Sequence, residues 1–141
     1  MEKMEKTENE KKKEFLMSYQ RAKRKIARLE EQLQELRLNK MHPSVINDGM
    51  PHSTEMRDLS DYASRLDEIE QEIVLSRYER IRAFQKVQRA IEEMEDEQEK
   101  DLLTYRYLRG MKWEEVAVKM GYSWQHIHKI HSQALGSFKM R

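Results

Sequence analysis

The sequence predicts an all-α protein: a long helical coiled-coil hairpin followed by a three-helix helix-turn-helix domain. Three observations predict it. The 141 residues are rich in Glu, Lys, Arg, Gln and Leu, with only two prolines and four glycines to break helices. Charged residues make up 38%, as many as the hydrophobic ones, well above the roughly 25% of an ordinary globular domain. Apolar residues recur every 3.5 residues through the front of the chain, and glycines divide the C-terminal part into short helical pieces.

Residues 1–14 are almost all Glu and Lys and are expected to form a disordered lead-in with nothing to bury. From Phe15 the seam Phe15, Tyr19, Ala22, Ile26, Leu29, Leu33, Leu36 steps 4, 3, 4, 3, 4, 3. That period marks a coiled-coil helix over residues 15–40. Residues 41–56 hold both prolines and an Asp48-Gly49 pair, so a loop is expected there. A second seamed helix is expected over 57–94. Leu59, Tyr62, Leu66, Ile69 and Ile73 keep the 3-4 step, and the phase then slips to Val74, Tyr78, Ile81, Phe84, Val87, Ile91 and Met94. Neither helix can hide its stripe alone, and the two could pair within one chain or between chains.

Residues 97–141 divide into three helices. The first spans about Glu97 to Leu108, with Leu102, Leu103, Tyr105 and Tyr107 available for burial, and Gly110 follows where a left-handed residue would close it. The second, Trp113 to Met120, carries Glu114 and Glu115 in its first turn, where carboxylates suit the helix dipole, and ends at Gly121. Ser123 is placed to N-cap the third, from Trp124 to about Phe138, with Ile127, Ile130, Ala134, Leu135 and Phe138 inside. A short helix, a turn containing Gly, a second helix and the small Ala117 at their crossing read as a helix-turn-helix.

The outer face of the third helix then carries the candidate DNA contacts. It shows Trp124, Gln125, His126, His128, Lys129 and Ser132, and Gln suits adenine and Lys suits guanine in the major groove. Lys112, Lys119, Ser123, His126, Ser132, Lys139 and Arg141 are candidate backbone contacts, which position a protein on the duplex without reading sequence. Trp113 is expected in the core or as a staple. If the histidines face phosphates, binding should strengthen below about pH 6.5, where imidazole gains charge.

The run LLTYRYLRGMKWEEVAVKMGYSWQHIHKIHSQAL resembles region 4 of the sigma-70-type RNA polymerase sigma factors. WEEVAVKMGYS resembles the first helix and turn, and IHKIHSQAL the recognition helix. The resemblance covers about a third of the chain. It implies binding to promoter-like duplex DNA, with Trp124, Gln125, His128 and Lys129 falling where that family contacts bases. The third helix has less Arg than sigma factors carry, so no target sequence transfers. Nothing upstream resembles the region that melts promoter DNA and grips polymerase, which argues against a complete sigma factor. A coiled-coil front joined to such a tail is similar to small phage regulators, the ArpU- and RinA-like activators of late genes.

Charge is unevenly distributed. Residues 1–40 carry 12 Lys/Arg against 8 Asp/Glu, residues 41–97 carry 7 against 14, and residues 98–141 carry 8 against 4. A basic tail beside an acidic middle fits one end approaching a polyanion, although uneven solvated helix faces would give the same balance. The absence of cysteine excludes disulfides and thiolate metal sites. His128 and His131 have a spacing that could share a metal, but no carboxylate or cysteine accompanies them on their helix, so no metal and no cofactor is expected. No phosphate loop and no nucleophile with a base partner points to an enzyme. No apolar run is long enough to span a bilayer and the start has no apolar signal segment, so a protein of the bacterial host cytoplasm is expected. The expected partners are double-stranded DNA, RNA polymerase and further copies of the chain through the coiled coil. A coiled-coil interaction protein docking on polymerase, and a small-terminase-like DNA-packaging accessory, are the alternative readings.

Overall fold

A computed structural model describes residues 6–41 and 53–140. Its helices are α1 (Glu8–Met41), α2 (Ser53–Glu92), α3 (Glu97–Leu103), α4 (Trp113–Met120) and α5 (Trp124–Ser137), with one π-helical turn at Thr104–Leu108. No strand occurs among the described residues, so the fold is all-α as expected. The expected loop at 41–56 is shorter at its edges, because Met41 still belongs to α1 and Ser53 already opens α2; residues 42–52 lie outside the described residues.

The chain divides into two compact units, Lys23–Glu79 on the one hand and Met1–Ala22 with Arg80–Arg141 on the other. In the first, α1 and α2 pair within one chain. Leu29, Ile69 and Ile73 are buried together, with Leu33 and Leu36 packed against them. Lys25 meets Glu79 at 3.5 Å, Glu30 meets Arg77 at 3.5 Å and Arg37 meets Glu70 at 3.0 Å. The partner numbers fall as the first numbers rise, so the helices run antiparallel. These ion pairs are solvent-exposed and each adds at most about 1 kcal/mol, so the apolar seam holds the pair and the charges set its register.

The expected phase slip in α2 does not occur over Val74 to Ile81. Tyr62, Leu66, Ile69, Ile73 and Ser76 face inward in steps of 4, 3, 4 and 3, and the same register continues through Ala83, Val87, Ala90 and Met94. Ser76 and Ala83 occupy seam positions because a small side chain can fill them. The residues that suggested the slip, Val74, Tyr78 and Ile81, are 50%, 65% and 50% exposed. Phe84, Val87, Ile91 and Met94 do turn inward as expected.

The second unit corrects two expectations. The disordered lead-in expected over 1–14 gives way to helix from Glu8, while its residues 1–5 lie outside the described residues. Thr7 Oγ1 accepts from the Glu10 amide at 3.2 Å, and Glu10 Oε2 accepts from the Thr7 amide at 3.2 Å. This is a reciprocal capping box, which satisfies two amide donors that a bare helix end leaves open. The helix then docks. Leu16 is fully buried, Phe15 packs on Phe138 with centroids 5.9 Å apart, and Lys12 Nζ donates to the Leu135 carbonyl at 2.7 Å. The helix-turn-helix is therefore no separate domain over 97–141. Its core joins Leu16 from α1 and Val87, Ala90, Ile91 and Met94 from α2 to Leu102, Leu103, Tyr107, Val116, Ile127, Ile130, Ala134, Leu135 and Phe138.

Candidate nucleic-acid interface

The local chemistry that shapes this unit starts at Asp96. Its carboxylate accepts from the Glu99 amide at 2.9 Å and caps α3. The π-helical turn follows and ends at Gly110, whose φ of +67° is left-handed. Gln20 of α1 reaches this turn and donates to the Tyr107 carbonyl at 3.0 Å.

Helix α4 begins at Trp113 and closes at Gly121, φ +72°. The Gly121 amide donates to Val118 O at 3.2 Å and the Tyr122 amide to Ala117 O at 3.0 Å. That pair of bonds is a Schellman close, and it turns the chain sharply toward α5. Ser123 Oγ then accepts from the His126 amide at 3.2 Å and starts α5. Val116 and Ala117 of α4 and Ile127 and Ile130 of α5 are buried where the two helices meet, as their spacing predicted. One face of α5 is thereby fixed inward and the opposite one is left to solvent.

Trp124, Gln125, His126, Lys129 and Ser132 are exposed on α5, with Ser123 exposed before it. Gln125, Lys129 and Ser132 follow one another at steps of 4 and 3, forming a polar edge of the helix. Lys112 and Lys119 are exposed at the two ends of α4, and His126 lies edge-on to Tyr122 at 4.6 Å.

Two expected contacts are placed differently, and a third is not described. His128 is half-buried between two tryptophans, with ring centroids 4.8 Å from Trp113 and 4.0 Å from Trp124. Its Nε2 is covered and has no hydrogen-bond partner, so that atom cannot read a base as it stands. Lys139 follows the far end of α5 and lines a cleft with Glu93, Glu95, Asp96 and Glu99. A phosphate there would meet carboxylates, and Glu99, itself buried, has its carboxyl held above the usual range by burial and by Asp96. Arg141 lies outside the described residues.

His131, which its spacing sets beside His128, is not on the exposed face of α5. It is buried, with Nε2 2.8 Å from the Tyr107 hydroxyl. Burial, reinforced by Lys13, His128 and Arg106, pushes its imidazole down to about 4, and burial raises the Tyr107 phenol to about 12. Both are therefore neutral at neutral pH, as a buried hydrogen-bonded pair requires.

Sequence reasoning missed Arg109. It is exposed over the Tyr105 ring at 5.1 Å, with Lys119 Nζ 5.9 Å from the same ring, so the π-helical turn adds a basic corner. The signal was the alternation of Tyr and Arg in TYRYLR, which reads as core on one side and cations on the other. Arg106, by contrast, turns inward over Trp113 at 4.6 Å and donates to Met111 O at 2.9 Å.

The geometry is that of a short helix, a left-handed glycine turn and a capped second helix with one free polar edge. Residues 96–139 match the family model for Sigma-70, region 4. The C-terminal segment is a sigma-70 region 4-like helix-turn-helix. The match begins at Asp96, the observed cap of α3, and ends at Lys139, just after buried Phe138, so the sigma region 4-like segment coincides with α3 to α5. No curated protein and no solved structure matches the chain. No helix among the described residues is long and apolar enough to cross a membrane.

Proposed function

We propose that this chain is a sequence-specific transcriptional regulator that lays α5 in the major groove of duplex DNA, and that it acts as a phage or prophage late-gene activator of the kind its layout resembles. The observation that carries the reading is the exposed Gln125–Lys129–Ser132 edge. It stands on a helix whose opposite face is locked into the core, inside a segment matching sigma-70 region 4. Gln and Lys offer the donors and acceptors that adenine and guanine complement, while exposed Lys112, Lys119 and Arg109 are the further cations of this unit for phosphates.

The test is selection of bound duplexes from a random pool, followed by binding of the recovered site over a salt series. Gln125→Ala or Lys129→Ala should weaken the selected site by about 1–3 kcal/mol and random DNA far less. Equal loss on both would assign the side chain to phosphate, and a pool that enriches nothing would remove sequence specificity.

Contact with RNA polymerase and self-association complete the proposal. Val74, Leu75 and Tyr78 of the hairpin are half or more exposed, an apolar stretch that a second copy would cover. A two-fold pair of helix-turn-helix units would read two half-sites. Sedimentation of the free chain and of its complex with the selected duplex measures the copy number, and a monomer in both would exclude this part.

A further inference from the structure

We infer that His128 is a positioning residue: held between Trp113 and Trp124, it fixes the Trp124 ring as an apolar contact for the 5-methyl group of a thymine. This inference rests on the DNA-binding reading above and deepens it.

The rings form a column that runs from the core to the surface. Tyr107 is hydrogen-bonded to buried His131 at 2.8 Å, and His131 lies edge-on to Trp113 at 4.7 Å. Arg106 covers Trp113 at 4.6 Å while donating to the Met111 carbonyl, so this ring is held from two directions. His128 sits on Trp113 and Trp124 sits on His128, at 4.8 and 4.0 Å. Exposure rises along the column, from buried Tyr107 and His131 through half-buried Trp113 and His128 to Trp124, which is 56% exposed.

The placement of the imidazole decides its role. Its Nε2 is shut off without a partner, so the ring contributes shape more than hydrogen bonding. A flat ring fits the slot between two indoles, where contact at van der Waals separation restricts the last indole to one orientation. Trp124 is also the first residue of α5, directly after the Ser123 cap and beside Gln125. An aromatic ring held there presents a large contact surface that loses little freedom on binding. Of the groups that bases display in the major groove, the thymine methyl is the apolar one.

The experiment uses the full chain and the duplex recovered by selection, with each thymine replaced in turn by deoxyuridine, which removes the methyl alone. The wild-type chain should lose about fourfold in affinity at one or two positions, the value of one buried methyl group. Trp124→Ala should bring that thymine-to-uracil ratio to one. His128→Ala should bring it close to one, and His128→Phe, which fills the slot without ring nitrogens, should restore it.

Failure of His128→Phe to restore the ratio, or a full ratio in His128→Ala, would overturn the positioning role. Equal affinity of the wild type for every deoxyuridine duplex would overturn the thymine assignment. Absence of binding to any duplex is a different result, which removes the DNA-binding reading and this inference with it.

Discussion

His131 shows how one buried residue can tie stability to pH. Its imidazole titrates near 4 in the folded chain against an ordinary value of 6.5, chiefly through burial. As pH falls below 6.5 the unfolded chain takes up this proton and the folded chain does not, so the contribution is fully present above 6.5 and drains away toward 4. Taken at about 1.4 kcal/mol per pH unit, the loss is about 2–3 kcal/mol. Urea unfolding of wild type and His131→Phe between pH 7 and 4.5 should show the wild type losing that much more, and parallel curves would contradict the assignment. The two left-handed glycines allow a second comparison. A Cβ at Gly121 would meet nothing within 4 Å, so Gly121→Ala should cost only the backbone strain, about 1–2 kcal/mol. At Gly110 the same atom would stand 3.0 Å from Gln20 Oε1, and Gln20 cannot retreat without giving up the Tyr107 carbonyl. Gly110→Ala should therefore cost about 1 kcal/mol more, and a Gln20→Ala background should abolish the excess. The glycine turns and the Ser123 cap were legible from residue type alone, because few residues suit those conformations. The burial of His131 was not, because helical spacing puts it beside His128 and only the fold brings Tyr107 to it.

Among the elements, the first turns of α1 depart furthest from expectation. Their Glu and Lys content argued for disorder, yet Thr7 and Glu10 cap the helix and Leu16 enters the core. Leu16→Ala should cost about 2–5 kcal/mol and Thr7→Ala about 1 kcal/mol in thermal or urea unfolding. Leu38→Ala, at an exposed position on the same helix, should stay within about 0.5 kcal/mol. A frayed lead-in over 1–14 would give no effect at Thr7. Helix α2 teaches the complementary lesson. Its existence was legible from the heptad spacing of Leu66, Ile69 and Ile73, but its inner face was misread between Val74 and Ile81. A search for large apolar side chains follows Val74, Tyr78 and Ile81, whereas close helix packing places Ser76 and Ala83 inward. The α4–α5 pair was legible almost to the residue, since caps, glycines and the buried Val116, Ala117, Ile127 and Ile130 all argue for one arrangement.

At the scale of the molecule, the unit that carries the candidate interface is assembled from both ends of the chain. Residues 96–139 match sigma-70 region 4, but their hydrophobic core is completed by Leu16, Val87, Ala90, Ile91 and Met94, with Phe15 packed alongside. A fragment limited to 96–141 would lose these members of its core cluster and the ring that packs on Phe138. It would also lose the bonds from Lys12 to the Leu135 carbonyl and from Gln20 to the π-helical turn. A domain so small has little burial to spare against its conformational entropy. The isolated fragment should therefore melt without a cooperative transition by circular dichroism, while the full chain unfolds cooperatively. Adding a peptide of residues 6–22 to a fragment spanning 80–141 should recover part of the transition, because capped α1 supplies the missing face. A cooperative melt of 96–141 alone, as stable as the whole chain, would mean that the contacts from α1 and α2 contribute nothing. The docked α1 would then be an ornament on a self-sufficient helix-turn-helix rather than a wall of its core.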